Sequence, residues 1–283
     1  FLEEIMWPEV TKALEENRRE LLLEGSKVAK RVADEGVDSR IFSLKELNFL
    51  RLSGTCLTTL DSQVCQLAEK LTDLDLHNNA IEEIPSELSQ LHSLKTLNLS
   101  GNKLQHLPDA VRNIGSLLTL NVSHNLIETI GDISGLGKLH ELYVNGNKLS
   151  SLPDGVETLE SLLVVQADHN QIEALPEDIH KLHHLKSLHM TDNCLSSLPL
   201  SIVLLDKLRV LDLRANKFTD RRLLKLANVD QTQPKGIFKY LKPLYEKEST
   251  SKKGGEYISS MAAVSFLVKH KLEKSDVPKR ASL

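Results

Sequence analysis

One pattern of leucines around an asparagine repeats along most of the chain. The stretch LHSLKTLNLSGNKLQHLP, which ends at Pro108, shows it complete, with Asn102 among leucines at Leu91, Leu94, Leu97, Leu99, Leu104 and Leu107. The asparagine recurs at intervals of 23, 23, 22, 23, 23 and 23 residues, at Asn79, Asn102, Asn125, Asn147, Asn170, Asn193 and Asn216. Because no single copy can bury its own leucines, such a repeat requires that each copy stack on the next.

The spacing LxxLxxLxLxxNxL is the signature of leucine-rich repeats. Two leucines on either side of one polar residue predict a short strand whose leucines face inward, since side chains alternate along a strand. Each asparagine amide is expected to satisfy buried backbone groups where the chain leaves that strand. The sequence therefore predicts an α/β fold, a right-handed leucine-rich-repeat solenoid (horseshoe) of about eight repeats of roughly 22–24 residues with helical caps.

Four segments follow from where the repeat begins and stops. Residues 1–40 are predicted to form an N-terminal helical cap, with helix across residues 7–36 and a break at Gly25. The leucine-rich-repeat domain is placed at residues 41–228, and the stretch RRLLKLAN at its end is expected to be helical. A capping helix interrupted at Pro243 is expected within residues 229–247, followed by a basic, poorly ordered tail at residues 248–283.

Charge is unevenly distributed along the chain. The formal net charge is −4, but residues 232–283 hold 11 Lys or Arg against 5 Asp or Glu, which leaves −10 for the remainder. The three cysteines do not form the end clusters that extracellular leucine-rich repeats usually carry, which favours a reducing compartment. No secretory signal and no apolar run long enough for a membrane span is visible, so we expect a cytoplasmic protein without membrane association.

The polar residues of the predicted strands define the concave surface. Its richest neighbourhood lies on the last four strands, where we predict the partner-binding residues Tyr143, Gln166, Asp168, His189, Thr191, Asp212 and Arg214. These residues mix donors, acceptors, an aromatic ring and both charges, which is the composition of a recognition surface. An ordinary solvated sheet face is the alternative interpretation, but a solenoid presents an extended inner surface that favours binding.

Nothing in the sequence indicates an enzyme. The concave histidines are not near neighbours in one column and no thiolate joins them, which argues against a metal site. A triad of Asp168, His189 and Thr191 would lie on an open face that neither cradles an oxyanion nor excludes water. No glycine-rich phosphate loop precedes a helix. We therefore predict no catalytic residues, no cofactor and no bound metal.

The segments that flank the repeats resemble the leucine-rich repeat-containing protein 47 family. The matching stretches are WPE…ENRRELLLEG before the repeats, IFSL at their start, and NKFTDRRLLKLAN with QT…IFKYLK after them. The resemblance covers roughly residues 5–245 and implies a cytoplasmic protein whose repeats precede a basic linker and a B3/B4 domain. That domain is similar to one in the phenylalanyl-tRNA synthetase β subunit. No such domain fits within these 283 residues, so aminoacyl-tRNA chemistry is not expected in this chain.

Three functional hypotheses remain open. The first is a monomeric intracellular protein–protein interaction module with a protein partner on the concave face. The second, which the family resemblance suggests, is an RNA- or translation-associated protein whose basic tail contributes RNA binding. The third is a small-GTPase signalling scaffold, because the repeats also look like those of cytoplasmic scaffolds that bind small GTPases.

Overall fold

The computed structural model describes residues 6–229 and 233–253. Nine parallel strands form one open sheet in strict chain order, so each strand pairs only with its neighbours in sequence. The first two strands are β1 (Glu20–Glu24) and β2 (Phe49–Ser53). The other seven have three residues each: β3 (Asp73–Asp75), β4 (Thr96–Asn98), β5 (Thr119–Asn121), β6 (Glu141–Tyr143), β7 (Val164–Gln166), β8 (Ser187–His189) and β9 (Val210–Asp212). This architecture confirms the predicted leucine-rich-repeat solenoid.

The strands pair in register, so equivalent residues of successive repeats form continuous rows. Leu74 pairs with Leu97, and Leu97 pairs with Leu120, each of them almost completely buried. The convex side returns through short 3-10 helices such as Ser86–Gln90, and through one turn of α-helix, α3 (Asp109–Arg112). The leucines of both sides meet in one continuous core that runs the length of the described repeats.

The asparagine amides close the turns that follow the strands. Asn125 is buried, and its Oδ1 accepts a hydrogen bond from the backbone N–H of Leu104 at 3.0 Å. Its Nδ2 donates to the carbonyls of Leu99 and Val122, both at 3.0 Å. One amide therefore satisfies three buried backbone groups and ties a repeat to the one before it. Equivalent bonds are made by Asn79, Asn102, Asn147, Asn170, Asn193 and Asn216.

The N-terminal segment differs from the helix expected across residues 7–36. Helices α1 (Pro8–Glu15) and α2 (Ser26–Glu35) are present, but β1 lies between them and pairs with β2. The expectation of helix was therefore wrong at Glu20–Glu24, and the predicted cap at residues 1–40 contains a strand. An exposed edge of β2 would leave unpaired backbone groups, and the backbone of β1 pairs with them. Alternate leucines of β1 are at the same time buried.

A buried carboxylate fastens this cap. Asp38 is only 1% exposed, and its Oδ2 accepts from the backbone N–H of buried Trp7 at 2.9 Å and from Arg40 Nη2 at 2.7 Å. Burial raises the pKa of Asp38, but the hydrogen bonds from Arg40 and Trp7 outweigh that effect and lower the pKa below its ordinary value. The carboxylate is thus held ionised where the chain enters the first repeat.

Two helices cover the last repeat. The expected helix at RRLLKLAN is α4 (Arg221–Ala227), and α5 spans Lys235–Lys253. The predicted interruption at Pro243 is wrong, because α5 continues through this residue. Pro243 and Lys239 are both exposed, so water can bond the Lys239 carbonyl that the proline cannot. The predicted poorly ordered tail is helical at residues 248–253, and its remainder lies outside the described residues. No described helix is long and apolar enough to cross a bilayer.

Candidate partner-binding site on the concave face

Each strand from β2 to β9 places one side chain at the middle of the concave face, between two inward residues. We call this row the central column; it consists of Arg51, Asp75, Asn98, Asn121, Tyr143, Gln166, His189 and Asp212. A second row lies two residues further along each repeat. We call it the outer column; it consists of Ser53, His77, Ser100, Ser123, Asn145, Asp168, Thr191 and Arg214.

Aspartate or asparagine in the central column closes the turn of its own repeat. Asn98 Oδ1 accepts from the backbone N–H of Ser100 at 3.1 Å, and Asn121 Oδ1 accepts from that of Ser123 at 3.0 Å. Asp75 and Asp212 make the same contact two residues on. Short polar side chains commonly bond their own backbone in this way. At these four positions the concave side chain is part of the fold.

For the turns after β7 and β8 this task passes to the outer-column residue of the preceding repeat. Asn145 Oδ1 accepts from the backbone N–H of Asp168 at 2.9 Å, and Asp168 Oδ1 accepts from the backbone N–H of Thr191 at 2.7 Å. Each bond reaches from one repeat to the next. Asp168 and Thr191, both predicted to bind a partner, therefore also hold the turns together.

The central residues of β7 and β8 are thereby released from turn closure, and Tyr143 of β6 contacts Glu141 through its hydroxyl. Tyr143, Gln166 and His189 pair in register on adjacent strands and are half-buried. Neighbouring strands lie about 4.8 Å apart, so the three side chains fall within about 10 Å. Val164, also half-buried, lies two residues before Gln166 on the same face. We call Tyr143, Val164, Gln166 and His189 the β6–β8 patch.

The contacts within the β6–β8 patch are peripheral and polar. Tyr143 donates from its hydroxyl to Glu141 Oε2 at 3.0 Å, and Gln166 Oε1 accepts from Asn145 Nδ2 at 3.2 Å. His189 Nε2 lies 2.9 Å from Ser187 Oγ. Burial and then the hydrogen bond to Glu141 raise the pKa of Tyr143, so its phenol remains a donor at neutral pH. The patch thus offers an aromatic ring, an apolar side chain and three groups able to exchange hydrogen bonds.

The last two predicted binding residues form a tight ion pair beside this patch. Arg214 Nε and Nη2 donate to the two Asp212 carboxylate oxygens at 2.9 and 2.6 Å. Burial raises the pKa of Asp212, but hydrogen bonds from Arg214 and the Thr191 side chain outweigh it and lower the pKa. Asp212 is only 4% exposed, whereas the side chain of Arg214 is 44% exposed. Asp212 therefore orients Arg214, and the guanidinium is the part that faces outward.

The first strand adds concave residues that the sequence interpretation missed. Because β1 belongs to the sheet, Leu22 faces the concave side next to Arg51 and is 48% exposed. Arg51 Nε donates to Asp75 at 2.9 Å, and its guanidinium lies 5.4 Å from the centre of the Phe49 ring. The sequence ELLLE of residues 20–24 has three consecutive leucines and no alternation, so no local signal revealed this strand, although the burial of its residues alternates in the structure.

The described residues do not group as ligands for a metal. Across 6–229 and 233–253, no three His, Cys, Asp or Glu side chains lie together in a way that could hold an ion. His169 instead contacts Asp192, with 2.9 Å between Nδ1 and Oδ2. The expected absence of enzyme activity stays a prediction.

Comparison with known proteins agrees with this architecture. Residues 45–104, 69–127 and 93–149 each match the family model described as leucine rich repeat. No curated protein sequence matches the chain significantly. By its fold and its repeats the chain is a leucine-rich-repeat protein, a class that generally acts in protein–protein interaction and is typically non-enzymatic. The narrower resemblance to the protein 47 family stays a prediction.

Three solved structures illustrate the similarity. The leucine-rich-repeat protein LIC12759 of Leptospira interrogans is 28% identical, with a TM-score of 0.67 over 78% of this chain and 62% of its own. The ectodomain of the Arabidopsis thaliana receptor kinase GASSHO1/SCHENGEN3 is 28% identical, with a TM-score of 0.61 over 73% and 25%. An internalin (inlF) of Listeria monocytogenes is 27% identical, with a TM-score of 0.57 over 68% and 56%. The chain spans less than two thirds of each of these proteins.

Proposed function

We propose that this chain is a protein-interaction module that binds a protein partner through the β6–β8 patch, with Arg214 at its edge. The observation that carries the proposal is the transfer of turn closure from the central to the outer column at the turns after β7 and β8, beside Tyr143 of β6. At Asp75, Asn98, Asn121 and Asp212 the central side chain holds its own turn. Here larger side chains of varied chemistry take its place and are free to make contacts with another molecule.

The physical properties of the patch support binding. Its residues stand on short strands of a continuous sheet, so little conformational entropy is lost when a partner docks. Tyr143 offers a large contact area with few rotatable bonds, and Val164 extends the apolar part of that area. The side chain of Arg214 is 44% exposed, so it places a positive charge, oriented by Asp212, at the edge of the patch. The GASSHO1/SCHENGEN3 ectodomain was solved in complex with CASPARIAN STRIP INTEGRITY FACTOR 2. A leucine-rich-repeat fold can therefore bind another molecule in this way.

We place the protein in the cytoplasm, as a proposal supported by its cysteines. Cys56, Cys65 and Cys194 are free thiols, and Cys56 is exposed. Exposed free thiols are expected in a reducing compartment, where disulfides seldom persist. A small GTPase is one possible identity for the protein partner of the β6–β8 patch.

Affinity capture from cytosol with purified variants tests this function. Tyr143→Ala combined with His189→Ala should weaken capture of the partner by about tenfold or more, because central aromatic residues often dominate an interface. The control combines Glu82→Ala with Glu173→Ala, two exposed positions that follow the asparagine turns. Both proteins should unfold at the temperature of the parent. The proposal is wrong if the control loses the partner and the concave variant keeps it.

RNA association through the basic C-terminal segment is the second candidate. The excess of 11 basic over 5 acidic residues in 232–283 favours it. The same capture experiment separates the two functions. Material that ribonuclease releases, and that is lost when the chain is truncated after residue 253 so that the capping helix α5 is kept, would support RNA binding. Material that survives both treatments and depends on Tyr143 supports the protein-binding function.

A further inference from the structure

A second surface lies on the side of the solenoid where the strands begin. The residue before each strand donates its backbone N–H to the equivalent residue of the previous repeat, as Lys95 does to the Thr72 carbonyl at 2.7 Å. Leu118 continues the row by donating to the Lys95 carbonyl at 2.8 Å. Further along, Lys186 and Arg209 occupy the same row and are joined at 2.9 Å. We call this side the basic rim.

The basic rim contains a groove of about 600 Å³. Lys70, Lys95 and Lys138 border it, although they come from three different repeats, and Leu118 contributes an apolar wall. Ser93 and Ser116 also line it, and their hydroxyls donate to the carbonyls of earlier repeats. The groove therefore crosses several repeats and is shaped by the stacked backbone, so its width is fixed by the fold.

The lysines of the groove have no anionic partner of their own. Within residues 6–229 and 233–253, no carboxylate lies within 4.0 Å of the ammonium of Lys70, Lys95 or Lys138. The lysines that follow the asparagine turns differ. Lys103 lies 3.9 Å from Glu82, and Lys148 lies 3.9 Å from Glu128. The three groove lysines therefore lack the carboxylate contacts that Lys103 and Lys148 make.

We propose that this groove binds an extended acidic segment of a protein. Lys70, Lys95 and Lys138 precede β3, β4 and β6. Along the sheet, Lys70 is therefore about 5 Å from Lys95 on one side, and Lys138 is about 10 Å from Lys95 on the other. An extended peptide places side chains of one face about 7 Å apart, so three carboxylates of such a segment can each reach one of these ammonium groups. Its uncharged residues can lie against Leu118. Lys186 and Arg209 lengthen the positive row for a longer segment.

The groove fits a peptide better than a nucleic acid. Of the described residues that line it, none is Phe, Tyr or Trp, the side chains on which unpaired bases usually stack. Glu69 also lines it, next to Lys70. A phosphodiester chain carries a negative charge on every nucleotide and would place one near this carboxylate. A peptide can place a neutral or basic residue there instead.

Fluorescence anisotropy with a labelled ten-residue peptide of alternating glutamate and alanine tests the proposal on the full chain. The rim variant combines Lys70→Ala, Lys95→Ala and Lys138→Ala. The control combines Lys103→Ala, Lys148→Ala and Lys217→Ala, which removes the same charge from the other side. Three exposed charge pairs together contribute on the order of tenfold in affinity, so the rim variant should bind about tenfold more weakly and the control less than about twofold.

Three results would overturn this assignment. The parent could fail to bind the peptide at all, or the rim and control variants could lose affinity equally. A ten-nucleotide oligouridylate could bind more tightly than the peptide and lose its affinity in the rim variant, which would make the groove a nucleic-acid site. Tyr143→Ala with His189→Ala should leave peptide binding unchanged, so failure of this surface is distinguishable from failure of the concave one.

Discussion

At the scale of single residues, the repeated asparagine is the strongest determinant of the fold. Its place after each strand could be predicted from spacing alone, and its side-chain amide can donate two hydrogen bonds to backbone carbonyls while it accepts one from a backbone N–H. The partners were not predictable in detail. The partners of Asn125 are the N–H of Leu104 and the carbonyls of Leu99 and Val122. Leu104 and Leu99 belong to the previous repeat.

Asn125→Ala should lower the free energy of unfolding by about 1–3 kcal/mol, because it leaves buried backbone groups without partners. Urea unfolding followed by circular dichroism measures the loss. Asn113→Ala is the matched control, since Asn113 is exposed at the end of α3 and should change stability little. Equal stability of the two variants would contradict the role of the buried amide.

Residue spacing also placed Tyr143, Gln166 and His189 on one face, and the structure puts them on adjacent strands. The transfer of turn closure to Asn145 and Asp168 was not predictable. It depends on which side chain reaches the backbone N–H of the neighbouring repeat, and this is determined by the side-chain rotamers in both repeats. The seven predicted binding residues lie on or just after the adjacent strands β6 to β9, and their role in binding stays a prediction.

At the scale of elements, the repeats were predictable and the ends were not. Three-residue strands followed directly from the leucine spacing. The apolar stripe across residues 7–36 predicts helix at the leucine run of β1, whereas pairing with the open edge of β2 decided its conformation. Likewise, α5 passes through Pro243 because that side of the helix is exposed. The conformation of the terminal elements β1 and α5 depends on tertiary contacts, which a local sequence pattern does not reveal.

The C-terminal cap contains a tyrosine with a strongly shifted pKa. Tyr240 of α5 donates from its hydroxyl to Asp220, which also caps α4, and the Arg222 guanidinium lies 4.8 Å from its ring centre. Burial, and then the hydrogen bond to Asp220, raises the pKa of Tyr240 to about 12. The stabilisation from the neutral phenol is therefore complete below the ordinary tyrosine pKa of about 10 and is lost as the pH rises through about 12.

Phenolate absorbance at 295 nm after a rapid pH jump should detect this group. The parent should show one ionisation near pH 12, and Tyr240→Phe should remove it. Tyr245→Phe in the same helix is the control and should leave that ionisation in place. A parent whose phenols are all ionised by about pH 11 would show that Tyr240 does not bond Asp220 as the structure has it.

At the scale of the whole molecule, the solenoid keeps folding and binding on separate residues of the same face. Asn98 and Asn121 close their own turns, whereas Gln166 and His189 are relieved of that task. Because each repeat contacts mainly its neighbours, side chains relieved in this way can vary without disturbing the rest of the stack. This division is the central claim, and it can be tested before any partner is known.

The most direct measurement compares the free energy of unfolding of Asn121→Ala and Gln166→Ala with that of the parent. Both residues are half-buried amides in the central column. Asn121→Ala should cost about 1 kcal/mol, because the backbone N–H of buried Ser123 loses its acceptor. Gln166→Ala should stay within about 0.5 kcal/mol of the parent. A loss for Gln166→Ala as large as that for Asn121→Ala would contradict the division between folding and binding.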